Sequence, residues 1–596
     1  MIVHPIPTAS PRPRRPGAAA APYRCGRCLL LFALIAGLAP GTVAPFAGAA
    51  STASVTVDCA QELGAFSPRL FGTIAAPYFD PSGYAMTQAS GFDLVQVGFQ
   101  IPVPSNPNDS TLYDFTTLDQ QVGAVVGIGA EPLVVYGLSR KPADLTAYAT
   151  YVANIARHLN QGWGSGHFWN ARAFRFGNEP DNPAYWQGTQ QEFFQSYAAW
   201  AAALKAVDAS YDLDTPALMS VRGTAGPESL STWAVNFLSY CQTNGVPVDH
   251  FSFHAYSPLP YYAFYDNCRR VQAALLRYPT LSPLYGSPRA ANDEWNTMVG
   301  DVWSGSYHAQ FDSAWVAAHN IVGLINMVEQ GLQLSIRYGG TFNGSPGGCH
   351  DFPLTDCAGQ GKPAYHAFRG FSWLAGAIRL ATTGTDHMNL AAVAGRRGDT
   401  IVVVVSDFDV TRYLGRFESG SSPAWTEYNR YVASSGVPAV YDGLNLTLQN
   451  LPWSASQQLV MERYLVDDQH ALALVDSAAA TGSAALFLSA AMAAPSVHVM
   501  RIYATGGTTG VGDPGPRGAD AGLKAWPVPA RDEIRFSVPG VAALSVDIFD
   551  VRGCRIARLG GREATLVWNA RGHRPGIYFA RAAGERGRPA RIVVLP

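Results

Sequence analysis

From about residue 66 to 376 the chain repeats one pattern. A short apolar run is followed by a polar or glycine-containing loop, then by a longer stretch with apolar residues every three to four positions. The apolar runs fall at 70–74, 94–99, 132–136, 173–177, 216–221, 250–254, 290–294 and 332–338. Short continuous apolar runs bounded by turn residues read as buried strands. Between them, 145–160, 190–207 and 312–331 carry helical periodicity. In the second, Phe193, Phe194, Tyr197, Trp200, Ala201 and Leu204 share one face, and the third ends at the helix-stop residue Gly331. Alternating strands and helices make βα units and a parallel sheet. Eight such units in about 300 residues predict a closed (β/α)8 barrel of the α/β class. An open doubly wound sheet would need a glycine-rich phosphate turn after its first strand, and "SPRLFGTIAAPYF" (67–79) has none.

Beyond residue 376 strands take over. The runs 399–410, 444–452, 457–467 and 496–504 predict an accessory β-sandwich over 377–504. The early run 53–58 precedes the barrel (54–376) and is a candidate to join that sandwich. Residues 505–523 are rich in Gly and Pro and read as a linker. From 524 to 596 the pattern has a period of two: Leu544, Val546 and Ile548 share one face, with Ser545 and Asp547 on the other. That predicts a small separate β-domain.

Composition narrows the class. Hydrophobic residues make up 48% of the 596 and charged residues 14%, a globular balance, and the net charge of -2 leaves no footprint for nucleic acid. At the N-terminus Arg24 and Arg27 precede the apolar stretch 29–38 and the small-residue run 46–52. This is the order of a secretory signal peptide over 1–50, too short for a membrane span. A soluble, secreted or cell-surface protein of bacterial-type export is expected, and export favours disulfides. Cys349 and Cys357 flank the short loop "CHDFPLTDC" and are the first candidate pair; Cys241 with Cys268 is a second. Reading Cys349, His350 and Cys357 as zinc ligands lacks a second pair at regular spacing.

The active site of a (β/α)8 barrel lies at the C-terminal ends of its strands. Here those ends carry Asn178-Glu179-Pro180, His254-Ala255-Tyr256, Glu294-Trp295-Asn296 and Arg337-Tyr338. Glu179 and Glu294 would face each other across the mouth. Two such carboxylates suit glycoside hydrolysis, one as proton donor and the other as nucleophile, with no metal or organic cofactor. A metal-dependent hydrolase would show clustered ligands such as H-E-x-x-H, which this chain lacks.

"FRFGNEPDNPAYW" (174–186), "VDHFSFHAYSP" (248–258), "DEWNT" (293–297) and "GKPAYHAF" (361–368) together resemble clan A glycoside hydrolases. The resemblance is closest to family 39, which includes β-xylosidases and α-L-iduronidases. It runs from about 54 to 505 and reaches "MERYLVDDQHA" (461–471) in the accessory domain. It implies a retaining enzyme acting on a glycoside or an oligo- or polysaccharide. Glu179 would be the acid/base and Glu294 the nucleophile; Asn178 would bind the sugar 2-hydroxyl, and His254 and Tyr256 would line the site. Trp186 and Trp295 are candidates for sugar stacking or for packing. Arg337 is a candidate partner for an acidic sugar or a structural ion-pair residue.

Three departures from the family pattern stand out. Gly177 occupies a position where relatives carry an aromatic residue. The stretch 94–104 lacks their Arg and His, and Arg337-Tyr338 stand where they present a Trp. A non-catalytic carbohydrate-binding or adhesive protein on the same barrel is the alternative reading. The C-terminal region, with "VDIFDVRGCRIARL" (546–559), "WNARGHRPGIYFARA" (568–582) and "RIVVLP" (591–596), resembles the Ig-like sorting or attachment modules of bacterial exported proteins. That likeness implies a partner in secretion or surface-attachment machinery.

Overall fold

The computed structural model describes residues 51–74, 86–224, 229–298, 308–340, 352–418, 422–436, 440–482 and 485–505, with shorter segments between 523 and 594. The expected signal peptide (1–50), the linker residues 506–522 and Cys349 lie outside the described residues.

The eight predicted barrel strands are present. In chain order they are β2 (Gly72–Ile74), β3 (Leu94–Gly98), β4 (Glu131–Tyr136), β5 (Ala173–Phe176), β6 (Asp212–Leu218), β7 (His250–Tyr256), β8 (Arg289–Asn296) and β9 (Leu334–Arg337). Each pairs in parallel with the next, and β9 closes on β2. The largest displacement from expectation is β6, which starts four residues before the apolar run. Its first half carries Asp212 and Asp214, polar residues buried inside the barrel, so hydropathy alone misses the strand start.

The barrel is apolar low down and charged at both ends. Ile74, Leu94, Leu133, Ala173, Ala291, Leu334 and Ile336 form a core of their own, distinct from the larger core between strands and helices. At the N-terminal end of the strands, Arg69 chelates Glu131 through Nε and Nη2 (2.8 and 2.6 Å) and also contacts Asp212. Asp212 further accepts from the Tyr285 hydroxyl at 2.7 Å and lies 2.9 Å from His250 Nδ1. Residues from β4, β6 and β7 and from the entry to β2 are thereby tied together under the barrel. In this architecture that end serves stability, and the opposite end serves chemistry.

The accessory strands form a separate strand-rich unit, as expected. Hydrogen bonding joins them edge to edge into nine strands, and residues from both ends of that sheet, such as Val403 and Ile502 at one and Leu446 and Leu486 at the other, share one internal core. The long strand β1 (Ser51–Ala65) links the two halves. It pairs antiparallel with β10 (Ile378–Thr383) and parallel with β13 (Tyr441–Gln449), shifting register between Asp58 and Glu62. The run 53–58 thus lies in this sheet. The interior strand β12 (Thr400–Asp407) is buried on both faces. Val402 and Val404 join the barrel-side core, while Ile401, Val403 and Val405 join a second core within the accessory domain. Two helices, Val410–Phe417 and Pro423–Ser435, interrupt the strands where only strands were expected.

The C-terminal segments form a three-stranded and a four-stranded sheet around their own core of Ile534, Phe536, Val546, Ile548 and Trp568. Val546 and Ile548 are buried and Ser545 and Asp547 half-buried, as the period-two pattern requires. Among the described residues no helix is long and apolar enough to cross a membrane.

Candidate active site

At the end of β5 the chain enters a left-handed turn. Gly177 has φ +74°, and a Cβ there would lie 2.9 Å from the Phe193 ring, so the aromatic residue that the family resemblance implied at this position has no room. Glu179 follows with φ +42°, a conformation that costs a non-glycine residue about 1–2 kcal/mol. Its amide donates to the Ala217 carbonyl at 2.9 Å, which anchors the turn to β6. Strained backbone held by neighbouring structure is characteristic of functional positions. The side chain of Glu179 is thereby turned into the mouth of the barrel.

The opposing carboxylate comes from β8. Between Phe253↔Asn292 and His254↔Glu294 the register of β7 and β8 shifts, leaving Asp293 as an extra residue. Such a bulge re-aims side chains. Here Asp293 reaches Arg175 Nε at 2.5 Å, while the adjacent Glu294 accepts from the Tyr256 hydroxyl at 2.9 Å. Glu179 and Glu294 are each 9% exposed, and a carboxylate oxygen of one lies within 4.8 Å of a carboxylate oxygen of the other.

His254 sits between them. Nδ1 lies 2.7 Å from Glu179 Oε1, and Nε2 lies 3.0 Å from Arg175 Nη2 and 3.8 Å from Glu294 Oε2. Arginine can only donate, so in the neutral ring Nε2 accepts from it and Nδ1–H is left for Glu179. Arg175 Nη2 also donates to Asn178 Oδ1 at 2.8 Å. This orients the Asn178 amide and leaves its Nδ2 protons for a ligand. Asn182 donates to Glu179 Oε2 at 3.3 Å.

Charge and burial compete here. Burial raises the pKa of Glu179, but the hydrogen bond and charge of His254 outweigh it, and the net value falls below the ordinary one. Burial lowers the pKa of His254, yet Glu294, Glu179 and Asp293 together lift it above the ordinary value. Burial, with the nearby Glu294 carboxylate, also raises the Tyr256 hydroxyl, which stays a hydrogen-bond donor. Deeper in the barrel, burial and the neighbouring Asp293 raise Asp214 well above the ordinary carboxylate value. The donor atoms of Glu179, His254 and Glu294 are close enough together for a metal. The Arg175 guanidinium takes the lone pair of His254 Nε2, however, and Nδ1 then meets Glu179 with a proton and not with a lone pair, so the set suits proton chemistry.

Glu179, Glu294, Asn178, His254 and Tyr256 thus converge as the sequence suggested, and three other candidates do not. Trp295 is fully buried, donates to the Ser335 hydroxyl at 2.7 Å and packs on Phe264; it is a core residue and no stacking platform. Trp186 is also buried, bonded to the Thr189 carbonyl at 3.0 Å and edge-on to Phe193. The neighbouring Tyr185 is the exposed ring, close enough to Glu179 and Glu294 for both to raise its pKa after burial. Arg337 is buried and, among the described residues, makes no ion pair. It donates to Asn320 Oδ1 at 2.8 Å and to the carbonyls of Tyr338, Gly339 and Phe352. The proposed Cys241–Cys268 pair is also corrected: both are free, buried thiols. Cys357 is disulfide-bonded.

Sequence reading missed Arg175 and Asp293. A lone Arg between Phe174 and Phe176 was the available signal, because a buried guanidinium requires a carboxylate partner.

Residues 103–377 match the family described as Glycosyl hydrolases family 39. A β-xylosidase from Geobacillus stearothermophilus is 23% identical over 194 residues, 29% of this chain and 37% of its own length. A β-xylosidase from Caldicellulosiruptor saccharolyticus is 25% identical over 291 residues, 45% of this chain and 54% of its own. The chain thus spans between about a third and a half of these relatives. A glucosidase from Croceicoccus marinus shares the fold, with TM-score 0.60 and 22% identity over 76% of this chain and 99% of that one. Over residues 103–377 the chain is therefore similar to the glycosyl hydrolases of family 39.

Proposed function

We propose that the protein is an exported, retaining glycoside hydrolase that cleaves O-glycosidic bonds by double displacement. The observation that carries this reading is the placement of Glu179 and Glu294 across the barrel mouth, with carboxylate oxygens within 4.8 Å. Double displacement uses carboxyl groups about 5–5.5 Å apart, whereas inversion leaves about 6.5–9.5 Å for a water. Glu294 Oε2 attacks the anomeric carbon, because Oε1 is held by the Tyr256 hydroxyl. The C–O bond to the leaving group breaks as Glu179 gives that oxygen a proton, and a glycosyl ester forms on Glu294. Glu179 then takes a proton from water, whose oxygen attacks the same carbon and releases Glu294. Asn178 Nδ2 donates to the sugar 2-hydroxyl, a bond that strengthens as positive charge develops on the ring. The substrate is an oligo- or polysaccharide or a simple glycoside. The signal peptide and C-terminal module are read as export and attachment devices.

The test is covalent trapping. Incubation with activated 2-fluoro glycosides of several sugars, followed by peptide mapping, is expected to give an adduct on Glu294. An adduct on another residue, or undiminished turnover by Glu294→Ala, would overturn the assignment.

A further inference from the structure

Away from the mouth, on the flank formed by the helices after β3 and β4, three donor atoms converge. Asp119 lies in the helix Thr116–Gly127, His158 in the last turn of Leu145–Gln161, and His167 in the loop that follows. His158 Nε2 is 2.9 Å from Asp119 Oδ1, and His167 Nε2 is 3.3 Å from Asp119 Oδ2. One donor atom from each lies within 4.8 Å of the others.

Two observations point to a ligand. His158 is buried, and its Nδ1 lies 2.8 Å from the Trp163 carbonyl, which can only accept. The ring proton is therefore on Nδ1, and in a neutral ring the Nε2 lone pair faces a carboxylate oxygen at 2.9 Å. That contact is repulsive unless a positive charge stands between the two atoms. The second observation is His167 Nε2, which is shielded from solvent and has no aligned hydrogen bond, although Asp119 lies nearby. Histidine with its far nitrogen fixed by a carbonyl is the usual arrangement of a metal-bound imidazole.

The site is also built rigidly. The loop folds back on its own helix: the His167 amide donates to the His158 carbonyl at 2.6 Å and the Trp169 amide to the Leu159 carbonyl at 3.0 Å. A Cβ on Gly166 would lie 2.2 Å from that His158 carbonyl oxygen, so only glycine permits the approach. Phe115 stacks on His158 with centroids 3.5 Å apart, and Trp169 on His167 at 3.6 Å, which fixes both ring planes.

We propose that Asp119, His158 and His167 bind a transition-metal dication of the Zn2+ type, which staples the two helices and the loop together. Two imidazoles and one carboxylate suit such an ion, and the partial exposure of Asp119 and His167 leaves a fourth position for water.

The test uses chelator-treated full-length protein titrated with Co2+, followed by Zn2+ competition. One equivalent of Co2+ is expected to give saturable visible d–d absorption that Zn2+ abolishes, and Zn2+ is expected to raise Tm. His167→Ala and Asp119→Asn, checked for folding by circular dichroism, should weaken Co2+ binding by more than the about 10–100-fold typical of losing an outer-shell partner. Three results overturn the proposal: no saturable absorption in the parent, parent-like binding in both variants, or binding lost in Glu294→Gln but kept in His167→Ala. The first would mean that the charge between His158 and Asp119 is a proton.

Discussion

Glu179 Oε1 and His254 Nδ1 lie 2.7 Å apart, and the far nitrogen of the same ring lies 3.0 Å from the buried guanidinium of Arg175. The neutral ring already holds its Nδ1 proton against Glu179, so what the pair shares at the lip of the barrel is one further proton. Glu179 is lowered and His254 raised, each by the other among their causes, so in the free protein that further proton favours the ring. A substrate oxygen that needs the proton can draw it through Glu179, which keeps the acid ready at a pH where an ordinary carboxyl would have lost it.

In the proposed mechanism this arrangement sets the pH dependence of hydrolysis. The pair loses its proton as pH rises through the raised His254 value, above the ordinary histidine value of about 6.5. The alkaline limb of kcat/KM is therefore expected above that point. In His254→Gln, Glu179 titrates alone and the limb should move to lower pH by about one unit or more, with reduced kcat. Rate profiles across the acid and alkaline range, with aryl glycosides as substrates, check this; an unmoved alkaline limb would refute proton sharing.

The two glutamates should separate by leaving group. Glu179→Ala should slow hydrolysis of glycosides with poor, alkyl-type leaving groups by about 10²–10⁴-fold, the usual value of a general acid. Activated dinitrophenyl glycosides need no proton and should lose far less in their first step. Glu294→Ala should abolish both. Steady-state rates over a series of leaving-group pKa values measure the difference, and equal losses along the series in Glu179→Ala would rule out the acid role.

The barrel was legible in the sequence because its strands are buried on both faces and so read as continuous apolar runs. Glu179 and Glu294 were legible because they follow such runs. The contacts that tune them were not. Arg175 and Asp293 meet only because a bulge between β7 and β8 turns Asp293 inward, and a one-residue register shift leaves no trace in hydropathy. Trp186 and Trp295 were ambiguous for a related reason: a large ring beside a carboxylate in sequence can point either way, and here both pack inward. The nine-stranded accessory sheet depends on β1, whose partners lie more than three hundred residues along the chain.

Arg337 tests the line between binding and scaffolding. Its donors hold Asn320 and three carbonyls around the end of β9, with Phe352 at 2.9 Å. Lysine cannot reproduce that fan of donors. Arg337→Lys should leave buried carbonyls unpaired and lower stability by about 1–3 kcal/mol, with KM for neutral and acidic glycosides changing in parallel. Thermal unfolding together with KM for both sugar classes checks this. A selective rise in KM for uronides would return Arg337 to the binding site.

Asp212 should govern the acid stability of the barrel. It meets Arg69, His250 and Tyr285 at once beneath the strands. Burial alone would raise its pKa, but His250 and Arg69 hold it far below the ordinary 3.8. A carboxyl with a depressed folded-state pKa contributes stability above its unfolded value and loses that contribution as pH falls toward the folded one. Asp212→Asn leaves Arg69 and His250 short of a buried partner and should cost about 3–5 kcal/mol at neutral pH. The gap from the parent should narrow below pH 4, where the parent begins to lose the same contribution. Thermal unfolding of both proteins between pH 7 and pH 3 measures the gap. A difference that stays constant over that range would mean that Asp212 acts through packing and not through its charge.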